Sequence, residues 1–179
     1  ITTGPLIDLW AIDPPDGHYP SQAELDATLP LIDYHKIKFL ENNQIELADK
    51  GMVVNLGAIA KGTIADELKS YLISRGVKSA LINLGGNVLA LGSKPDGSSF
   101  VVGIQDPDSP LGNYLLSIKI ADESVVSSGD YERFFVYNGK VYHHILNPKT
   151  GFPADTNIKQ VTIVTANSQK ADGLSTSVL

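Results

Sequence analysis

The longest helical pattern in the sequence runs from about Ala58 to Arg75. The stretch that opens it, Asn55 to Gly62 (NLGAIAKG), constrains the fold more than any other. Ile64, Leu68 and Leu72, with Ala65 and Tyr71, recur at helical spacing and predict an apolar stripe, and Gly76 supplies the stop. An apolar pair, Val53-Val54, leads into this helix. A chain folded around it gathers unsatisfied backbone N–H groups, a lysine and a close-approach glycine at one helix N-terminus, a position that attracts phosphate. The spacing of Gly57 and Gly62-Thr63 imitates a P-loop, but Lys61 precedes the second glycine instead of following it. A nucleotide-triphosphatase P-loop is thereby rejected. Lys61 either reaches a phosphate or carbonyl oxygen or is a solvated surface lysine.

Around this helix the pattern is mixed. Residues 1–20 read as turn-rich, with Gly4-Pro5 and Pro14-Pro15-Asp16-Gly17 flanking a core-anchoring segment of Leu6, Ile7, Leu9 and Trp10. Ser21 and Glu24 form a capping box for a short helix that presents Leu25, Leu29 and Ile32 on one side. Ile45-Glu46-Leu47 and Met52-Val53-Val54 read as short strands. Ala80 to Leu84 reads as a buried strand ending at Gly85-Gly86, and Val88 to Leu91 resumes it. Lys94-Pro95-Asp96-Gly97 is a turn. Phe100 to Gln105 and Tyr114 to Ile120 read as strands. Phe134 to Tyr137 and Val141 to His143 make a hairpin through Asn138-Gly139. Ile158 to Thr165 alternates cleanly, and Ser168 caps a last helix. Strands cluster centrally and helices bracket them, with too little strand–helix alternation for a doubly wound sheet. The expected class is α+β, one domain spanning residues 1–179.

Bulk properties narrow the function. A net charge of −6 argues against nucleic acid or an anionic membrane as a bulk electrostatic partner, so an anionic ligand needs local help from a helix end, a lysine or a metal. No segment approaches the roughly 18 apolar residues of a membrane span. The absence of cysteine removes disulfides, thiolate metal sites and cysteine nucleophiles. The chain begins with Ile rather than Met, and the expectation is that an N-terminal part has been removed.

Asp172, Ser175 and Thr176 lie at i, i+3 and i+4 of the last helix, so their oxygens share a face, while Ala171, Leu174 and Val178 occupy a separate arc that can pack. One carboxylate and two hydroxyls suit magnesium or calcium better than zinc. The same spacing also describes a polar face turned to water. His143 and His144 follow a strand and point to opposite faces, so at most one enters a given site. There it can serve as a general base toward an incoming hydroxyl beside a metal-bound phosphate, or it is a core histidine satisfied by backbone. Gly85-Gly86 either admits a ligand close to the backbone or is only a tight turn. His18 and His35 read as surface residues without partners nearby in sequence. Ser127-Ser128-Gly129-Asp130 lacks the pattern of a serine nucleophile.

The segments VNLGAIAKGTIADEL, LINLGGNVLALG, SSGDYERFF, YHHILNPKTGFP and ADGLSTSVL occur in that order over roughly residues 53–179, with GPLIDLW near the start. Together they closely resemble the FAD:protein FMN transferases of the ApbE type. The resemblance implies an ApbE-like, T-fold-like architecture and a magnesium-dependent transfer of FMN from FAD to a threonine of a target protein, releasing AMP. It implies that Asn55, Lys61 and Ile145 contact FAD, and that Ala58, through its carbonyl, joins Asp172, Ser175 and Thr176 as metal ligands. His144, with His143 as second choice, is the expected base for the acceptor threonine. It also implies an extracytoplasmic location on the cytoplasmic membrane, through a lipid on a missing N-terminal segment. Many relatives carry Asp where this chain has Asn55, and family members continue beyond both of its ends, so the chain is expected to be truncated. The alternatives are an FAD pyrophosphatase yielding FMN and AMP, and a non-catalytic FAD-binding fragment.

Overall fold

The computed structural model describes residues 1–12 and 17–179. Its elements in chain order are α1 (Gly4–Trp10), α2 (Gln22–Thr28), β1 (Ile37–Phe39), β2 (Ile45–Leu47), α3 (Gly57–Ser74), β3 (Ala80–Asn83), β4 (Asn87–Leu91), β5 (Phe100–Gln105), β6 (Tyr114–Ile120), β7 (Ser124–Gly129), β8 (Phe134–Tyr137), β9 (Lys140–His143), β10 (Gln160–Thr165) and α4 (Ser168–Val178). Every strand pairing among the described residues is antiparallel, in keeping with the α+β class. The chain divides into two compact units, Ile1–Leu56 with Asp130–Asp155, and Gly57–Gly129 with Thr156–Leu179.

The first unit is organised around Trp10. The segment read as turn-rich is instead helix α1, started by the proline near its N-terminus, and it buries Leu6 and Trp10 completely. Residues 14–16 of the expected Pro-Pro-Asp-Gly turn lie outside the described residues. The Trp10 ring stacks on Tyr142 at 5.5 Å and meets Phe152 edge-on at 5.6 Å. Its Nε1–H donates to the Gly151 carbonyl at 2.6 Å, tying helix α1 to the loop after β9. Trp10→Phe leaves that buried carbonyl unpaired and is expected to cost about 1–3 kcal/mol, read from urea unfolding by far-UV circular dichroism.

Helix α2 has the expected capping box, in which the Ser21 Oγ accepts from the Glu24 N–H and Glu24 Oε2 accepts from the Ser21 N–H. Strand β2 forms as expected, but residues 52–54 pair with no strand, and Met52 instead buries its side chain singly. Hairpin β8–β9 turns through Asn138 and Gly139 with φ of 50° and 75°, the backbone this tight turn requires. His18 and His35 are exposed yet paired, with Glu24 at 3.3 Å and Asp33 at 3.0 Å, which corrects their expected isolation.

The second unit carries a sheet of order β10-β7-β4-β3. On one face Ala90 and Val125 pack with Val102, Ile104 and Ile120 of the β5–β6 hairpin. On the other, Ile82, Leu89 and Leu91 pack with Ala65 of α3. Fully burying a side chain such as Leu89 contributes about 1.5–3 kcal/mol. Helix α3 ends where Gly76 adopts φ 81°, with Gly76 N–H bonded to Ile73 O and Val77 N–H to Leu72 O, a Schellman close. Its buried face runs through Gly62, Ala65, Leu68 and Leu72, whereas Ile64 and Tyr71 are exposed; the expected stripe was rotated. Strand β3 lies at the sheet edge with Leu81 exposed, so the run read as a buried strand is buried on one side only. Strand β7, which the pattern did not reveal, lies between β4 and β10.

Candidate functional site

Helix α4 is buried on its polar side. Ser168 and Ser175 are 0% exposed and Asp172 is 3% exposed, while Leu174 and Val178 are 51% and 52% exposed. This reverses the expected arc: Ala171 is buried as anticipated, but Leu174 and Val178 face outward and the hydroxyl and carboxyl groups face in. A helix that covers carboxylate and hydroxyls in preference to leucine has those polar groups matched by specific partners, because burying them unmatched is costly.

The partners come from α3 and β7. The Gly62 N–H donates to Asp172 Oδ2 at 2.8 Å. In a regular helix that amide would close on the Ala58 carbonyl alone, so here the carboxylate is a further acceptor for it. The helices meet at backbone contact: a Cβ on Gly62 would lie 2.4 Å from the Ser168 carbonyl oxygen and 2.6 Å from Gln169 Cα. Ser175 Oγ donates to the Asp172 carbonyl at 3.0 Å and lies 2.8 Å from Ser128 Oγ of β7. Thr176 Oγ1 donates to the same carbonyl at 3.3 Å and is half-buried. Lys61 Nζ donates to the Gly85 carbonyl at 2.9 Å, so the lysine and the Gly85-Gly86 turn belong to one corner of the unit.

Burial holds the Asp172 carboxyl above its ordinary range, opposed by the Gly62 amide, by the positive charge of Lys61 and by the Lys61 amide. The fold therefore favours its protonated form. Its contribution to stability is fully present below the unfolded pKa of about 3.9 and is lost as pH rises through the higher folded value. Whenever it is ionised the carboxylate is a buried charge, and a bound cation would offset that cost.

Ser168 is not the cap of α4. Asn167 is, its Oδ1 accepting the Lys170 N–H at 2.7 Å. The Ser168 and Gln169 amides instead donate to the two carboxylate oxygens of Asp66 on α3, at 3.0 and 2.9 Å. The Ser168 hydroxyl donates to Asn87 Oδ1 at 2.8 Å. Asp66 and Asn87 were not singled out from the sequence, and Ser128 was weighed only as a serine nucleophile and set aside. The first two bonds span 102 and 103 residues and leave no local pattern, and Ser128 signals itself only as a hydroxyl inside the apolar run SVVSSG.

Among the expected residues of the first unit, the Asn55 N–H donates to the Ile1 carbonyl at 2.8 Å and Ile145 is buried. The two histidines differ. His143 Nε2 lies 3.0 Å from the Ala154 carbonyl while its Nδ1 accepts the Ile145 N–H at 3.4 Å, so both ring nitrogens serve the loop. His144 sits just past β9, with Nδ1 at 3.2 Å from the Arg133 carbonyl. A carbonyl only accepts, so this bond sets the Nδ1–H tautomer and leaves Nε2 unprotonated when the ring is neutral.

A model of the ApbE family matches residues 1–179. The chain belongs to the ApbE family. The FAD:protein FMN transferase of Klebsiella pneumoniae is 38% identical over 173 residues, covering 96% of this chain and 53% of that protein. The FAD:protein FMN transferase of Treponema pallidum is 37% identical over 188 residues, covering 97% of this chain and 52% of the relative. The crystal structure of the ApbE protein of Thermotoga maritima superposes with a TM-score of 0.90 at 33% identity, covering 98% of this chain and 57% of that one. The flavin transferase ApbE of Vibrio cholerae gives a TM-score of 0.84 at 29% identity, over 99% and 57% of the two chains. The chain thus spans about half the length of the curated relatives it matches.

Within this ApbE chain, no group of three or more His, Asp or Glu among the described residues forms a metal cluster. The donors that α4 gathers on its buried side are the Asp172 carboxylate and the Ser175 and Thr176 hydroxyls. All are hard oxygens, a set that fits magnesium and does not fit zinc.

Proposed function

We propose that this chain carries out magnesium-dependent transfer of FMN from FAD to a threonine of a target protein, with release of AMP. The observation that carries the reading is the inverted burial of α4, which holds Asp172 3% exposed on the Gly62 amide while Leu174 faces outward. The relatives named FAD:protein FMN transferase supply the reaction class. The reading takes residues 1–179 as one transferase domain and, on family resemblance alone, places it at the extracytoplasmic face of the cytoplasmic membrane.

In this scheme Asp172, Ser175, Thr176 and the Ala58 carbonyl hold the magnesium ion. Ser175 Oγ keeps a lone pair after donating to Asp172 O and accepting from Ser128. When bound, magnesium neutralises the FAD diphosphate and the AMP leaving group. Lys61 adds positive charge to a chain of net charge −6 and, with Asn55 and Ile145, binds FAD. The acceptor threonine oxygen attacks the FMN-side phosphorus, forming one P–O bond as the bond to the AMP oxygen breaks. His144 Nε2 takes the threonine proton. His144→Asn is expected to lower transfer about 100-fold or more with FAD affinity little changed, whereas His143→Asn affects mainly stability, because both its ring nitrogens hold the loop.

Incubation with FAD, magnesium and a candidate acceptor protein tests the proposal. Covalent in-gel flavin fluorescence on the acceptor, with one AMP released per flavin attached, supports transfer. Soluble FMN without labelled acceptor assigns hydrolysis instead, and no AMP at all makes the chain a binding fragment.

A further inference from the structure

We propose that Asp66 is a positioning residue for the cation site, holding α4 in the register that sets Asp172 against α3. The inference rests on the reading of Asp172 as a magnesium ligand. Two carboxylates cross the helix pair in opposite directions. Asp66 of α3 accepts the Ser168 and Gln169 amides of α4 at 3.0 and 2.9 Å, one on each oxygen. Asp172 of α4, one turn beyond Ser168, accepts the Gly62 amide of α3 at 2.8 Å, one turn before Asp66. Each helix thus binds the backbone of the other through a side chain, and the two clamps are a single turn apart on both.

The amides Asp66 takes are among the first of α4 and have no acceptor inside their own helix. Asn167 satisfies only the Lys170 amide, at 2.7 Å. Asp66 therefore does more than cap, because its acceptor oxygens belong to the neighbouring helix and convert a cap into a fixed register. The Gly62 contact, where a Cβ would stand 2.4 Å from Ser168 O, allows no sliding toward α3, and the Ser168 hydroxyl bond to Asn87 at 2.8 Å anchors the same turn to β4. With Asp66 removed, the first turn of α4 loses its carboxylate tie to α3, and the Gly62–Asp172 bond alone must hold the Asp172 carboxylate in register against α3. Outer partners that orient a ligand in this way typically change metal affinity about 10–100-fold.

The test compares magnesium binding, by titration calorimetry with magnesium alone, in the full chain and in Asp66→Asn, Asn167→Ala and Asp172→Ala, each checked for folding by circular dichroism. Asn167→Ala also removes a cap of α4, but the Asn167 side chain bonds the Lys170 amide of its own helix, so it reports the effect of a weakened helix by itself. The expected result is that Asp66→Asn weakens magnesium about tenfold or more, Asn167→Ala leaves it within about twofold, and Asp172→Ala abolishes it. Equal effects of Asp66→Asn and Asn167→Ala, or undiminished affinity in Asp66→Asn while Asp172→Ala fails to bind, overturn the role of Asp66 and leave the ligand assignment standing. Undiminished binding in Asp172→Ala, or no binding by the unsubstituted chain, overturns the ligand assignment itself and the inference with it. Should Asp66→Asn not fold, Asp66→Glu keeps the charge and displaces both oxygens by one methylene, and the same weakening is expected of it, with unchanged affinity overturning the proposal.

Discussion

Gly62→Ala is expected to destabilise the second unit by about 3 kcal/mol, a large fraction of the stability of a domain this size. The added methyl would stand 2.4 Å from the Ser168 carbonyl oxygen and 2.6 Å from Gln169 Cα, and both are backbone atoms that cannot rotate aside. The helices would have to separate, breaking the Gly62–Asp172 bond and the two Asp66 bonds together. Gly173→Ala is the matched control on the opposite helix. There the new methyl meets only Ile59 Cγ2, at 3.4 Å, and the gain in helix propensity of about 1 kcal/mol offsets the contact. Urea unfolding of the two variants should show a marked loss for the first and a change within about 1 kcal/mol for the second. Similar midpoints for both would mean that α3 and α4 are not in backbone contact.

Asp172→Asn separates the cost of a buried anion from its use. Without magnesium the variant should be as stable as the unsubstituted chain, or more so, because the amide keeps an acceptor for the Gly62 N–H and cannot carry the charge that burial disfavours. With magnesium and FAD it should release AMP about 100-fold more slowly or worse, since charge stabilisation by the ion is worth several kcal/mol. Thermal melts with and without magnesium check the first expectation, and AMP release checks the second. Undiminished turnover in a folded Asp172→Asn chain would remove this face of α4 from the site.

The sequence revealed where polar groups gather and concealed which way they turn. Asp172, Ser175 and Thr176 share a face by helical periodicity alone, so their clustering could be read directly. Hydrophobicity then assigned Leu174 and Val178 to the interior. The structure reverses that assignment because only small residues permit the α3 backbone at Gly62 to approach, and the carboxylate has an amide waiting at 2.8 Å. The same limit explains Asp66, whose partners lie 102 and 103 residues away, beyond any local motif. Strand β7 escaped notice because its serines broke the apolar pattern, yet Ser128 lies on the face that meets α4, where its hydroxyl reaches Ser175 Oγ at 2.8 Å. Local chemistry fared better. The Ser21–Glu24 capping box, the Asn138-Gly139 turn and the bounds of β5 and β6 all depend on neighbours in sequence. Helix α1 is the exception, its proline serving as a helix start where a turn was expected.

The most direct test is a crystal structure of the chain grown with manganese in place of magnesium, using the anomalous signal to locate the ion. The account places one ion about 2.0–2.2 Å from an Asp172 carboxylate oxygen, with the Ala58 carbonyl and the Thr176 hydroxyl among its ligands. An ion bound away from α4, or a carboxylate that contacts only the Gly62 amide while manganese sits elsewhere, would contradict it.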